Sequence, residues 1–143
     1  MKETRQPTLQ AIEALTAFLP CLDAEGFSPV LSWSGGEKLK DGSFTLPYPN
    51  YHPLVKEFFG HVASDGWLDY EYNPEQAYQM LNDENAIKAA SLAQIKTMLT
   101  FCVRGERFSD GHWGEMIAKG YIRRLLERLN ELKSEPLPDE YEA

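Results

Sequence analysis

Reactive side chains crowd into one short stretch of this chain. Between Thr100 and Trp113 stand Arg104, Glu106, Arg107, Asp110 and His112, and Arg123 and Arg124 follow one predicted helix later. Guanidinium groups converging on one point would hold a phosphate or carboxylate by bidentate hydrogen bonds. Arg107 stands beside the predicted start of a helix near Asp110, where free N–H groups and a partial positive charge favour the same anion. His112 could give or take a proton there. Trp113, with Trp33, Tyr48, Tyr51 and Trp67, could line a cleft for the ligand. The candidate ligand-binding set is therefore Arg104, Arg107, Asp110, His112, Trp113 and Arg123, with no catalytic residue assigned. Asp110 counts against it, because as an N-cap it would occupy that helix end and repel an anion.

The same residues have a structural reading, and it is the stronger of the two because no trio has a spacing that a reaction demands. In it Ser109 or Asp110 caps its helix, Arg104 bonds the last carbonyls of its own helix, and Arg107 pairs with Glu106 or Asp110. Arg123 pairs with Glu127 one turn on, on the solvent face. His112 becomes a partly buried, satisfied histidine.

Other groupings are weaker. Asp69 and Glu71 alternate with Tyr70 and Tyr72, so an extended stretch would put both acids on one face, as paired glycosidase carboxylates or metal ligands require. A solvated face with packed tyrosines is the plainer reading. His52 and His61 are too far apart for a metal pair on one helical turn. Gly35-Gly36-Glu37-Lys38 lacks the arrangement that cradles phosphates.

The elements that must position these residues follow from periodicity. Thr8 caps a helix carrying Leu9, Ile12, Leu15, Phe18, Leu19 and Leu22, which Pro20 should end or kink. Residues 27–50 hold Gly35-Gly36, Asp41-Gly42 and three prolines, and read as two short strands around a turn or as an irregular aromatic loop. A helix from Pro53 buries Val55, Phe58, Phe59 and Val62 and stops at Gly66. Trp67 to Tyr72 reads as extended, and a short helix runs from Pro74 to about Leu81. Ser91 and Gln94 form a capping box for a helix whose Ile95, Met98, Leu99, Cys102 and Val103 make it central to the core. After Gly105 come a helix through Trp113, Met116 and Ile117, and a last one burying Ile122, Leu125, Leu126, Leu129 and Leu132.

Composition excludes several classes. The 143 residues suit one ordinary domain, and 43% hydrophobic with 25% charged residues is globular. No window approaches the roughly 20 apolar residues of a membrane span, and the first ten residues carry no secretory h-region. Cys21 and Cys102 sit in apolar surroundings and read as two buried thiols of a cytoplasmic protein. The net charge of −8 is uneven. Residues 92–133 hold eight basic side chains against five acidic, and the four acids of 134–143 form a separate tail. The last three helices would suit helix-turn-helix binding through Arg123, Arg124 and Arg128. Glu127, Glu131 and the overall acidity argue against nucleic acid.

The stretches Leu99-Thr-Phe-Cys-Val-Arg-Gly-Glu-Arg-Phe108, Gly111-His-Trp113 and Ile122-Arg-Arg-Leu-Leu-Glu-Arg-Leu129 resemble a family of small bacterial proteins classed as a domain of unknown function. Leu46-Pro-Tyr-Pro49 and Asp65-Gly-Trp67 echo it upstream. The resemblance implies a bacterial intracellular protein and carries no mechanism. The expected fold is all-α or mainly α, with about five helices in one domain over residues 1–133 and an irregular or small β-hairpin insert near 27–50. The expected function is a non-catalytic binding or protein-interaction module, acting through an unknown protein partner or by self-association. The alternative is a small-molecule or nucleotide (anion) binding protein or enzyme using residues 104–124. No cofactor, metal or membrane is expected.

Overall fold

Thr8 opens the first helix as its type and place predict: its Oγ1 accepts the Ala11 amide at 3.1 Å, and α1 (Leu9–Thr16) buries Ala11, Ile12 and Leu15. The computed structural model describes residues 7–134. The chain breaks just before Pro20, which sits in the first turn of a short α2 (Leu19–Leu22). The first helix ends at Thr16, the interruption that Pro20 predicts, and in the first turn of α2 the proline's missing N–H costs nothing. Only Leu22 of α2 is buried, and Cys21 is exposed, contrary to the expectation of two buried thiols. Cys102 is fully buried, and burial pushes its thiol pKa up; both cysteines are free.

Residues 27–51 resolve in favour of the hairpin. β1 (Val30–Ser34) and β2 (Tyr48–Tyr51) pair antiparallel, and a further bridge joins Lys38 to Phe44 nearer the tip. The register pairs Val30 with Tyr51, Ser32 with Asn50 and Trp33 with Pro49, leaving Leu31 as an extra residue in a bulge. The bulge has a consequence for the faces. Without it Val30 and Trp33 would point to opposite sides; with it both share the face of Tyr51 and Pro49. The other face is polar, with the Asn50 amide donating to Ser32 and Ser34 at 2.9 and 2.7 Å.

His52 caps α3 (Pro53–Ser64) through Nδ1, and Val55, Phe58, Phe59 and Val62 are buried. Gly66, at φ +89°, turns the chain into Trp67, which is fully buried. No strand forms over residues 67–72; the chain turns at Tyr70-Glu71 and is tied to a helix, the Asp69 amide donating to Thr100 Oγ1 at 2.9 Å and Thr97 donating to the Asp69 carboxylate at 2.9 Å. Asp69 thus has a structural role, while Glu71 is exposed.

After α4 (Pro74–Leu81), Asp83 caps another helix, α5 (Glu84–Lys88). The predicted capping box opens α6 (Leu92–Arg104), whose Ile95, Met98, Leu99 and Cys102 are fully buried. A short 3₁₀ turn (Gly105–Arg107) leads to α7 (His112–Ala118) and α8 (Tyr121–Ser134). One continuous apolar cluster runs from Ala11 to Leu129, with α1 against α8 and α3 and α4 against α6. The fold is mainly α with a small hairpin, built from more and shorter helices than expected. Of the predicted acidic tail, Ser134 closes α8 and the rest lies outside the described residues. No helix among the described residues is long and apolar enough to cross a membrane.

Candidate functional site: the hairpin and its socket

The turn between α6 and α7 is organised by one carboxylate. Glu106 Oε1 accepts the Tyr51 hydroxyl at 2.7 Å and the Trp113 amide at 2.9 Å, and Oε2 accepts the Gly111 amide at 3.1 Å. Two of these donors are the N-cap and a first-turn amide of α7, so Glu106 does the capping expected of Ser109 or Asp110. Ser109 contributes only its carbonyl, to the His112 amide at 3.1 Å, and Asp110 is exposed. The N-cap position is Gly111, left-handed at φ +92°, with no side-chain cap of its own.

The base of the hairpin plugs into this turn. Tyr51 is buried, and burial first, then its hydrogen bond to Glu106, holds its phenol pKa well above the usual range, so it stays a neutral donor. Val30 packs so closely on α7 that a Cβ at Gly114 would lie 2.8 Å from its Cγ2. The Trp33 indole covers Gly111, where a Cβ would lie 3.0 Å from the ring. Trp113 stacks on Phe59 with ring centroids 4.7 Å apart and donates through Nε1 to the Val103 carbonyl at 3.0 Å. Gly105, Gly111 and Gly114 therefore receive His112, Trp33 and Val30 respectively.

His112 faces inward. Its ring lies against Gly105, where any Cβ would collide with it, and it meets Phe101 edge-on at 5.4 Å. Burial lowers its pKa, opposed by the Phe101 carbonyl and by Glu106 and Glu115. The expected satisfied histidine is buried, but its Nε2 has no hydrogen-bond partner among the described residues.

The arginines do not converge as a set. Arg104 sits over the Tyr70 and Tyr72 rings, 5.9 and 5.8 Å from their centroids, where it was expected to bond helix carbonyls. Arg107 is exposed, and no carboxylate among the described residues pairs with it. Arg104, Arg107 and Trp113 line one open cleft of about 350 Å³ with Leu68, Val103 and Glu106. Arg123 lies elsewhere, on α8, paired with Asp23 at 3.5 Å and, as expected, with Glu127 at 3.3 Å. Arg124 pairs with Glu84 and Arg128 with Glu131, both at 3.1 Å, so the basic face of α8 is matched by acids along its groove. Among the described residues no group of three or more His, Cys, Asp or Glu side chains could hold a metal ion.

A family model described as a family of unknown function, DUF6508, matches residues 7–135, almost the whole chain. The chain belongs to the DUF6508 family. Hairpin and socket both lie within the matched residues of this DUF6508 chain. No curated protein and no solved structure is significantly similar to it.

What the socket holds down at one end, the hairpin exposes at the other. Ten large apolar side chains are exposed among the described residues, and six lie between Leu31 and Tyr48. Leu46 is 81% exposed, Phe44 65% and Trp33 55%; Phe108, on the turn that Trp33 covers, is 85% exposed. This concentration places the DUF6508 chain's unusual surface on one element. Tyr51 reads from the sequence as a cleft-lining ring and Glu106 as a partner for Arg107; that the two bond to each other is not legible there. The available signal was the glycine spacing at 105, 111 and 114, since each marks a close approach, but the approaching residues are not legible from it.

Proposed function

We propose that this protein is a non-catalytic interaction module whose docking element is the 30–51 hairpin. The observation that carries the reading is the contrast within that hairpin: its base is buried on a built socket, while its outer length exposes Leu31, Leu39, Phe44, Leu46 and Tyr48. Contiguous apolar surface of a few hundred Å² is unfavourable in water and marks a contact surface. A hairpin alone is marginally stable, so the Glu106 network is what would keep such a surface presented in one conformation. The test is a photo-crosslinking amino acid placed at Phe44 or Leu46, with the exposed Tyr78 as control. Adducts are expected at the two hairpin positions, competed away by excess wild-type protein but not by a Phe44→Ser/Leu46→Ser variant. Absence of adducts, or equal yield at Tyr78, would sink the reading.

A second reading rests on Arg107. Its charge has no acidic partner among the described residues, and it shares an open cleft with Arg104 and Trp113, which suits a small anion. An anion at a hundred times its dissociation constant would add about 2.7 kcal/mol to stability. Thermal unfolding with phosphate, sulfate and nucleotides checks this: a shift in the wild type that is lost in Arg107→Ala supports the cleft, and no shift removes it.

A further inference from the structure

Resting on the interaction-module reading, we infer that the hairpin's occupant is a second copy of this chain, joined to it edge to edge through β1 into a four-stranded sheet β2-β1-β1-β2 around a two-fold axis. The two edges of the hairpin are not equivalent. β2 reads Tyr48-Pro49-Asn50-Tyr51 and follows Pro47, and proline without an N–H blunts an edge. β1 reads Val30-Leu31-Ser32-Trp33-Ser34, with no proline and no charge, the composition that natural edges avoid unless they are paired. Among the described residues β2 is the only strand beside β1, and Leu31, Ser32 and Trp33 are all exposed.

Charge favours a like partner at this place. The chain carries −8, so two copies carry like net charge and repel overall. Residues 27–51 carry only Glu37, Lys38, Lys40 and Asp41, which cancel, making the hairpin the neutral region where two copies can approach. An uncharged strand is also self-complementary: an antiparallel partner of identical sequence meets no like-charge pair, as a two-fold interface requires. The antiparallel arrangement sends each hairpin tip back past the base of the other.

The experiment is sedimentation velocity on the full chain over rising concentration, with cysteine crosslinking in a Cys21→Ser background. Ser32→Cys, Ser34→Cys and the two combined cover a two-fold at residue 32, 33 or 34, beyond the bulge, since Ser32 meets itself, Ser34 meets itself, or the two meet each other. The wild type is expected to double in mass, with a disulfide-linked dimer in at least one of the three variants. Ser32→Lys, which sets two ammonium groups at the paired edges, is expected to leave a folded monomer at every concentration. A dimer that neither crosslinks nor responds to Ser32→Lys uses another surface and overturns edge pairing. A monomer at every concentration overturns the second copy as occupant. In that case specific adducts at Phe44 or Leu46 to a different protein would leave the interaction module intact, and their absence would remove both.

Discussion

The hairpin 30–51 is buried at its base and uncovered over most of its length. At the base, Tyr51 reaches Glu106, Val30 presses on Gly114 and Trp33 lies over Gly111. Toward the tip, Leu39, Phe44 and Leu46 are exposed, and the backbone is held by a few bonds such as that from the Leu39 amide to the Ser43 carbonyl at 2.7 Å. The same residue types occur at both ends. What differs is the presence of a facing element with glycines where the side chains land. Burial at the base makes Tyr51 part of the core and packs Val30 against it, while Trp33 and the tip side chains stay exposed and available to a partner. If this division holds, substitutions at the base should cost stability and substitutions at the tip should not.

The largest effect is expected from Glu106→Ala. It strands the Tyr51 hydroxyl and two α7 amides, at a cost of about 3 kcal/mol for a network of this kind, measurable by urea unfolding. Glu106→Gln keeps an acceptor and should cost distinctly less. A cost below about 0.5 kcal/mol for Glu106→Ala, the level of an ordinary surface substitution, would refute the socket as a stabilising unit.

Gly105→Ala should come next, at about 1–3 kcal/mol for overpacking, because its methyl group enters the space of the His112 ring. A double variant with His112→Ala should depart from additivity, since the two residues share one contact. Additive costs would mean that the ring does not rest there.

Acid should weaken the base through His112. Its folded pKa lies below the ordinary value of about 6.5, so between the two the unfolded chain binds the extra proton. The stability associated with the neutral ring is therefore present above pH 6.5 or so and is lost as pH falls toward the folded pKa. Denaturation between pH 7 and 5 should show a shallower loss in His112→Gln than in the wild type; equal slopes would contradict the burial. Arg123→Ala should cost less than about 1 kcal/mol, as exposed pairs do. At the bottom of the scale, Phe44→Ser/Leu46→Ser should change stability by no more than about 0.5 kcal/mol while removing the proposed docking contact.

Much of the frame is legible from local signals. Thr8, the Ser91/Gln94 box and the stripe of α6 are read correctly because capping and helical periodicity act within a few residues. Ser109 or Asp110 reads as the cap of α7 for the same local reason, and the reading fails because a longer side chain, Glu106, reaches those amides first. The arginines fail as a converging set for a related reason. Position on a helix does not say whether a nearby tyrosine, as at Arg104, or an acid from another element, as at Asp23 for Arg123, lies within reach.

By itself the sequence determined the mainly helical class, the central place of α6, the caps within reach of a few residues and the membership of residues 7–135 in one family. Periodicity and turn chemistry are properties of neighbouring residues, so they survive being read in one dimension. Only the tertiary structure decided that Tyr51 and Glu106, 55 residues apart, meet, that Arg123 is engaged elsewhere while Arg107 meets no carboxylate among the described residues, and that the hairpin buries Tyr51 while Leu31, Phe44 and Leu46 stay exposed. Such pairings depend on which surfaces meet when the elements pack, and no local spacing encodes that.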